Sequence, residues 1–244
     1  MGIEKVAHGA NAMTAAGYNI TNMGVFIMAA AKAAATQNEL SFPDIEIKEI
    51  TVKIQGTSPL CVHKFSEKAR KMILDKQQKT ASKAGKEARN IWEDIIGGCY
   101  WLSKEPREHT EEAFYKAIKD GATFGFPTVG VKASIVSAAY RAGWVKNKVS
   151  MNGMFHMDGE FIEIKGVQPD VREDTVTLQT GVTDLRFRPL FPVGWYAELK
   201  IKYVPQLISV KQLMNAINFG GFSVGLGEWR IEKGGTWGAY KVVE

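Results

Sequence analysis

The chain has 244 residues, of which 45% are hydrophobic, 23% charged and 10% aromatic, with 31 Lys+Arg against 26 Asp+Glu and a net charge of +5. Disordered chains carry fewer apolar residues and less balanced charge, so this composition belongs to a folded protein with ample material for a core. Two cysteines exclude a disulfide scaffold, and Cys61 and Cys99 form no CxxC pair. The four histidines, at 8, 63, 109 and 156, show no HxH or HExxH spacing. Neither a metal nor another cofactor is therefore expected. Sparse cysteine points to a reducing, cytoplasmic compartment.

Residues 1–40 read as an N-terminal arm and an apolar helix. GANAMTAAGYNITN (9–22) is small and polar, as in an extended arm. MGVFIMAAAKAAA (23–35) is the most apolar run, yet it contains Lys32 and falls short of the ~20 residues a membrane span needs. It also lacks the adjacent charged region of a signal peptide. Residues 41–244 read as a single domain with a basic insertion at about 64–90. IEIKEITVKIQ (45–55) alternates like a strand, with a phase shift at Glu49 that predicts a bulge or two abutting strands. Ser66 can cap a helix with Ala69, Met72 and Ile73 on its apolar face.

That helix enters the basic stretch. Lys64 to Arg89 carries nine Lys/Arg and three Asp/Glu, a balance of +6 that exceeds the net charge of the chain. Its centre, KQQKTASKAGKEAR, has almost no large apolar side chain and reads as a solvated helix or loop. IWEDIIGGCYWL (91–102) returns to core composition, and Thr110 caps a short helix ending at Gly121. Pro127 marks a helix start and Gly143 its end. FIEIKG, TVTLQT, DLRFRP and WYAELKIKYV then read as strands, the last with Trp195, Ala197, Leu199, Ile201 and Tyr203 on one face. Ser209 and Gln212 form a capping box for a helix closed by Gly220 and Gly221, and the chain ends in a glycine-rich, hairpin-like element.

The phosphate-binding P-loop, the dinucleotide fingerprint and the GxSxG nucleophile elbow are all missing. What stands out is cationic charge among aromatics and glycines. No acidic residue occurs between Asp120 and Asp158, a window holding Lys132, Arg141, Trp144, Lys146 and Lys148 beside Tyr140. Residues 220–238 hold seven glycines, with Trp229, Arg230, Lys233 and Trp237 among them. Cations neutralise phosphates, flat rings stack on bases, and glycines let another backbone approach closely.

FPTVGVKASIVSAAYRAG (126–143) and GFSVGLGEWRIEKGGTWG (221–238) together resemble two hallmark segments of the RAMP superfamily of CRISPR-associated proteins, a proline-led basic helix and a C-terminal glycine-rich loop. The resemblance implies an α+β, modified ferredoxin-like (RRM-type) antiparallel sheet with helices on one face. It implies binding of single-stranded RNA and polymerisation along it, and the first expectation is a non-catalytic protein that binds single-stranded RNA or DNA and self-associates along the strand as a filament or multi-subunit backbone, without a membrane. Carried over, Lys132 and Arg141 would contact phosphates, with Gly225, Gly227, Trp229, Arg230 and Lys233 in the glycine loop. Trp144, Lys146 and Lys148 at the helix end, Arg186 and Arg188 on one strand, and Lys71, Lys79, Lys83 and Lys86 of the basic insertion would line the same trough. Two alternatives stand beside this. One is a metal-independent RNA-processing endonuclease of the same superfamily, using His63 with Lys64, or His156. The other is a structural protein of a viral assembly.

Overall fold

A computed structural model describes residues 43–65, 67–78, 89–177 and 180–243. The arm and apolar helix expected over residues 1–40, the capping role of Ser66, and Lys79, Lys83 and Lys86 lie outside the described residues.

The chain runs through β1 (Lys48–Gly56), β2 (Leu60–Cys61), α1 (Glu67–Gln77), α2 (Ile91–Gly98), α3 (Glu111–Lys119), β3 (Phe124–Pro127) and α4 (Thr128–Arg141). It continues through α5 (Lys148–Met154), β4 (Phe155–Met157), β5 (Phe161–Ile164), β6 (Asp170–Thr177), β7 (Thr183–Phe191), β8 (Tyr196–Tyr203), α6 (Val210–Ser223) and β9 (Tyr240–Val243). The four-stranded sheet has the order β4-β8-β1-β9, and every pairing in it is antiparallel. With the insertions set aside, β1-α4-β4-β8-α6-β9 is a βαββαβ unit. Its first strand lies between the third and the fourth, and the second is at the far edge. That is the ferredoxin-like order, so the α+β class expected from the sequence is the one observed. One insertion occupies residues 57–127 and carries β2, α1, α2, α3 and β3. The other holds β5 and the long hairpin β6–β7, which pairs with β2 into a second sheet.

Strand alternation decides which sheet face is buried. On β8, Ala197, Leu199, Ile201 and Tyr203 are buried, while Glu198 and Lys200 face outward. Val52 and Ile54 of β1 join them, and the helices supply Val131 and Ile135 from α4 and Leu213 and Ile217 from α6 to the same core. Trp195, fully buried, donates its indole N–H to the Ser58 carbonyl at 2.9 Å. A Cβ at Gly56 would stand 2.1 Å from that indole nitrogen, so the end of β1 must be glycine for the ring to fit.

Several local expectations change. The strand begins at Lys48 with no bulge, and Ile45 and Ile47 before it are exposed, because no neighbouring strand pairs with that segment. The apolar face assigned to α1 fails: Met72 and Ile73 are exposed. Gly220 and Gly221 do not close α6 but lie inside it. The reason is Tyr240: a Cβ on Gly221 would sit 1.9 Å from its carbonyl oxygen, and one on Gly220 2.7 Å from its hydroxyl. The terminal element is no hairpin; Arg230 and Trp237 bridge in parallel across a short 3-10 turn at Ile231–Lys233. The caps at Thr110 and Ser209, including the Ser209–Gln212 box, are formed as expected.

Gly221→Ala is expected to cost about 2 kcal/mol or more, because the obstruction is backbone rather than a movable side chain. Gly153→Ala, in a helix with nothing within 4 Å of the new methyl, should be neutral or stabilising. Urea denaturation of both variants checks the contrast.

Candidate nucleic-acid interface

Helix α4 starts without a side-chain cap, since Pro127 occupies the cap position and the first turn has no acidic residue. The positive end of its dipole is thus uncompensated by any carboxylate of its own. Small side chains, Gly130, Ala133, Ser134 and Ser137, make one helix face shallow. That face and the glycine loop enclose a cleft of about 500 Å³, with Gly225, Gly227, Arg230 and Lys233 on the loop side and His63 and Tyr100 at the border.

The loop is held in place by its own backbone. Leu226 N–H bonds Gly238 O at 3.0 Å, Glu228 N–H bonds Cys61 O at 2.9 Å, and Gly238 N–H bonds Pro59 O at 2.7 Å. A Cβ at Gly227 would be 2.1 Å from the Cys61 carbonyl, and Gly227 also has φ +72°. These glycines therefore permit close packing of the loop on β2. Several of the loop's backbone amides are thereby used within the chain rather than left for a ligand. Trp229 is the only non-glycine residue at positive φ among those described, at +53°. A left-handed non-glycine residue costs about 1–2 kcal/mol.

The cleft is not uniformly cationic. Glu232 accepts from Arg230 at 3.0 Å and also from Arg141, and Glu228 lies on the same wall. Burial pushes the Glu232 carboxyl up. The hydrogen bond from Arg230 and the charges of Arg141, Arg230 and Lys233 outweigh it, so the group titrates below the ordinary glutamate range and stays ionised. Lys233 is exposed at the end of the loop. His63 is exposed at the cleft border, and partial desolvation by the cleft wall, followed by the charge of Arg188, sets its titration below the usual value. Burial also raises the Tyr100 hydroxyl, and the Cys61 thiol beneath the loop is pushed up to about 12.

The remaining sequence-derived candidates scatter. Lys132 points the other way, donating to Asn152 O at 3.0 Å and resting over the Phe155 ring. Trp144 packs at a tilt against Phe219 and borders an apolar cavity of about 390 Å³ between α4, α5 and α6. Lys146 is exposed nearby, and Lys148 lies over the Tyr140 ring. Arg186 pairs with Asp184 at 3.2 Å, while Arg188 is buried against Asp174 at 3.6 Å. Lys71 is exposed on α1 beside a different depression. Among the described residues, these candidates do not form the single continuous trough expected from the sequence. Helical periodicity already separates Lys132 from Arg141, and Asp184, two residues away, and Asp174, on the paired strand β6, neutralise Arg186 and Arg188. His156, the other histidine candidate, is exposed on the open sheet face 3.8 Å from Asp158 and remote in register from the cleft.

Sequence reasoning missed Tyr100, Ser134 and Ser137 as cleft residues, and Glu228 and Glu232 as its counter-charges. The carboxylates were visible beside Arg230 in the glycine segment; the others come together only through the fold. Among the described residues no cluster of His, Cys, Asp and Glu could hold a metal ion, and no helix is long and apolar enough to cross a membrane.

No family model matches the chain, and no curated protein matches it. Among solved structures it is similar to the crystal structure of Cmr6 from Pyrococcus furiosus, at 9% identity and a TM-score of 0.33, over 82% of this chain and 100% of that one.

A histidine with a depressed pKa favours the folded state while it is neutral. His63 thus contributes full stability above about pH 6.5, its unfolded value, and that contribution is lost as the pH falls toward the folded value. The melting temperature should drop between pH 7 and pH 5.5, and His63→Gln should flatten that part of the profile.

Proposed function

We propose that this protein binds single-stranded nucleic acid without cleaving it, seating the sugar–phosphate backbone in the cleft between α4 and the glycine loop. The observation that carries the reading is the start of α4, which has no side-chain cap although its first amide donates to the Glu160 carbonyl at 2.9 Å, opening through a wall of small side chains onto a loop that presents Lys233 and Arg230. A helix N-terminus favours an anion. The shallow wall admits a polymer backbone, and the cations supply counterion release. The likeness of the two motifs to RAMP segments agrees with this reading and adds assembly of copies along the strand.

Because only a few cations face the cleft, binding should be modest and salt-sensitive. Filter binding with single-stranded RNA and DNA of about 20 nucleotides is the direct assay. Lys233→Gln should weaken both and reduce the slope of log K against log salt by about 0.7, the single-strand value per phosphate contact. Glu232→Gln releases Arg230 and Arg141 from their carboxylate and should strengthen binding. No retention of either strand at low salt would refute the reading, leaving the structural role in an assembly.

One observation favours a second reading. His63 and Tyr100 border the same cleft, and His63 is held neutral, the form required of a general base. Metal-free cleavage of single-stranded RNA that disappears in His63→Ala would replace binding alone with an endonuclease.

A further inference from the structure

Outside the cleft, the glycine loop turns a pair of tryptophans toward the β6–β7 hairpin. The Trp229 and Trp237 ring centroids are 6.0 Å apart at 47°. The Arg172 guanidinium of β6 lies 5.1 Å from the Trp237 ring centre, completing a ladder of three flat groups. Trp229, at its open end, is 47% exposed and is the residue held at left-handed φ. Glycine fits that backbone far better.

The ladder is fixed from below. Arg172 Nε donates to Asp174 at 2.9 Å, and the buried Asp174 pairs on its other side with the buried Arg188 at 3.6 Å. Arg188 Nε and Nη1 have no hydrogen-bond partner. The cluster leaves a buried guanidinium underbonded while holding Arg172 over an aromatic ring. Burying such groups is costly, and here it orients a surface cation.

We infer that the Arg172–Trp237–Trp229 ladder is a stacking platform for an unpaired nucleobase, with Trp229 taking the base and Arg172, at the other end of the ladder, meeting a phosphate farther along the strand. An indole face accepts any base. The cation favours a ligand that joins a flat ring to a negative charge, which a nucleotide does and an apolar peptide side chain does not. The inference rests on the nucleic-acid reading above and assigns the base contacts that the cleft itself does not provide. Asp174 and Arg188 are positioning residues, acting through Arg172.

The test compares an oligothymidylate of 15 nucleotides with an abasic oligomer of the same length and charge, by fluorescence anisotropy with a terminal dye on the full-length protein. Wild type should prefer the base-bearing strand. Trp229→Gly, which relaxes the left-handed residue and so should fold, is expected to lose about 5- to 100-fold in affinity for oligothymidylate, the range that one stacked base supplies, with little change for the abasic strand. Trp229→Phe should retain the preference, and Arg172→Gln should weaken the binding of both strands alike. Equal binding of the two strands by wild type, or an unchanged preference in Trp229→Gly, overturns the platform while leaving the cleft reading intact. Loss of self-association in Trp229→Gly with unaltered strand binding also overturns it, making the ladder a protein contact. Failure of wild type to bind either strand removes the cleft reading together with the platform.

Discussion

Tyr240 sits where the last strand and both sheet-covering helices meet, and the cleft depends on that junction. The Ser134 hydroxyl of α4 donates to the Gly220 carbonyl at 3.0 Å and lies 3.1 Å from the Tyr240 hydroxyl. Burial, against the opposing effect of the Ser134 hydrogen bond, keeps the phenol well above its ordinary pKa and therefore protonated. Two consecutive helical glycines give the Tyr240 backbone room to touch α6. Glycine within a helix costs about 1 kcal/mol relative to alanine. Here that cost permits a closer helix–strand approach. Ser134 is also a wall residue of the cleft, so the spacing between α4 and the glycine loop follows from the same contact.

Electrostatics separate a charged composition from a charged site. Among the described residues, several of the cations singled out have a partner: Arg186 and Arg188 with aspartates, Arg141 and Arg230 with Glu232, Lys132 with a carbonyl. The exposed pairs among them contribute little stability, yet all of them lower the positive potential available to a ligand. Lys233 and the helix dipole remain as the attractive features of the cleft. The platform of tryptophans then matters because stacking is far less sensitive to ionic strength than phosphate contact.

Much of the architecture was legible from local pattern. WYAELKIKYV showed its buried face by alternation, and Thr110, Ser209 and Gly143 marked helix ends through chemistry confined to a few neighbouring residues. The misreadings share a different origin. Gly220 and Gly221 looked like a stop signal because glycine ends isolated helices, but Tyr240, about twenty residues on, fills the space they leave. Met72 and Ile73 gave α1 an apolar stripe with nothing packed on it among the described residues. At the site, Arg230 and Lys233 could be found by their glycine-rich setting. The pairing of Arg172 with Trp237 could not, since it joins a strand of the second sheet to the tail of the chain.

The ferredoxin-like sheet ends at β4, three residues long, on one side and at β9, four residues long, on the other. Borders this brief offer very few free backbone groups to a neighbouring chain. Extending this sheet from one molecule to the next would thus form few bonds; among the described strands the longer free edge is β6, eight residues at the border of the second sheet.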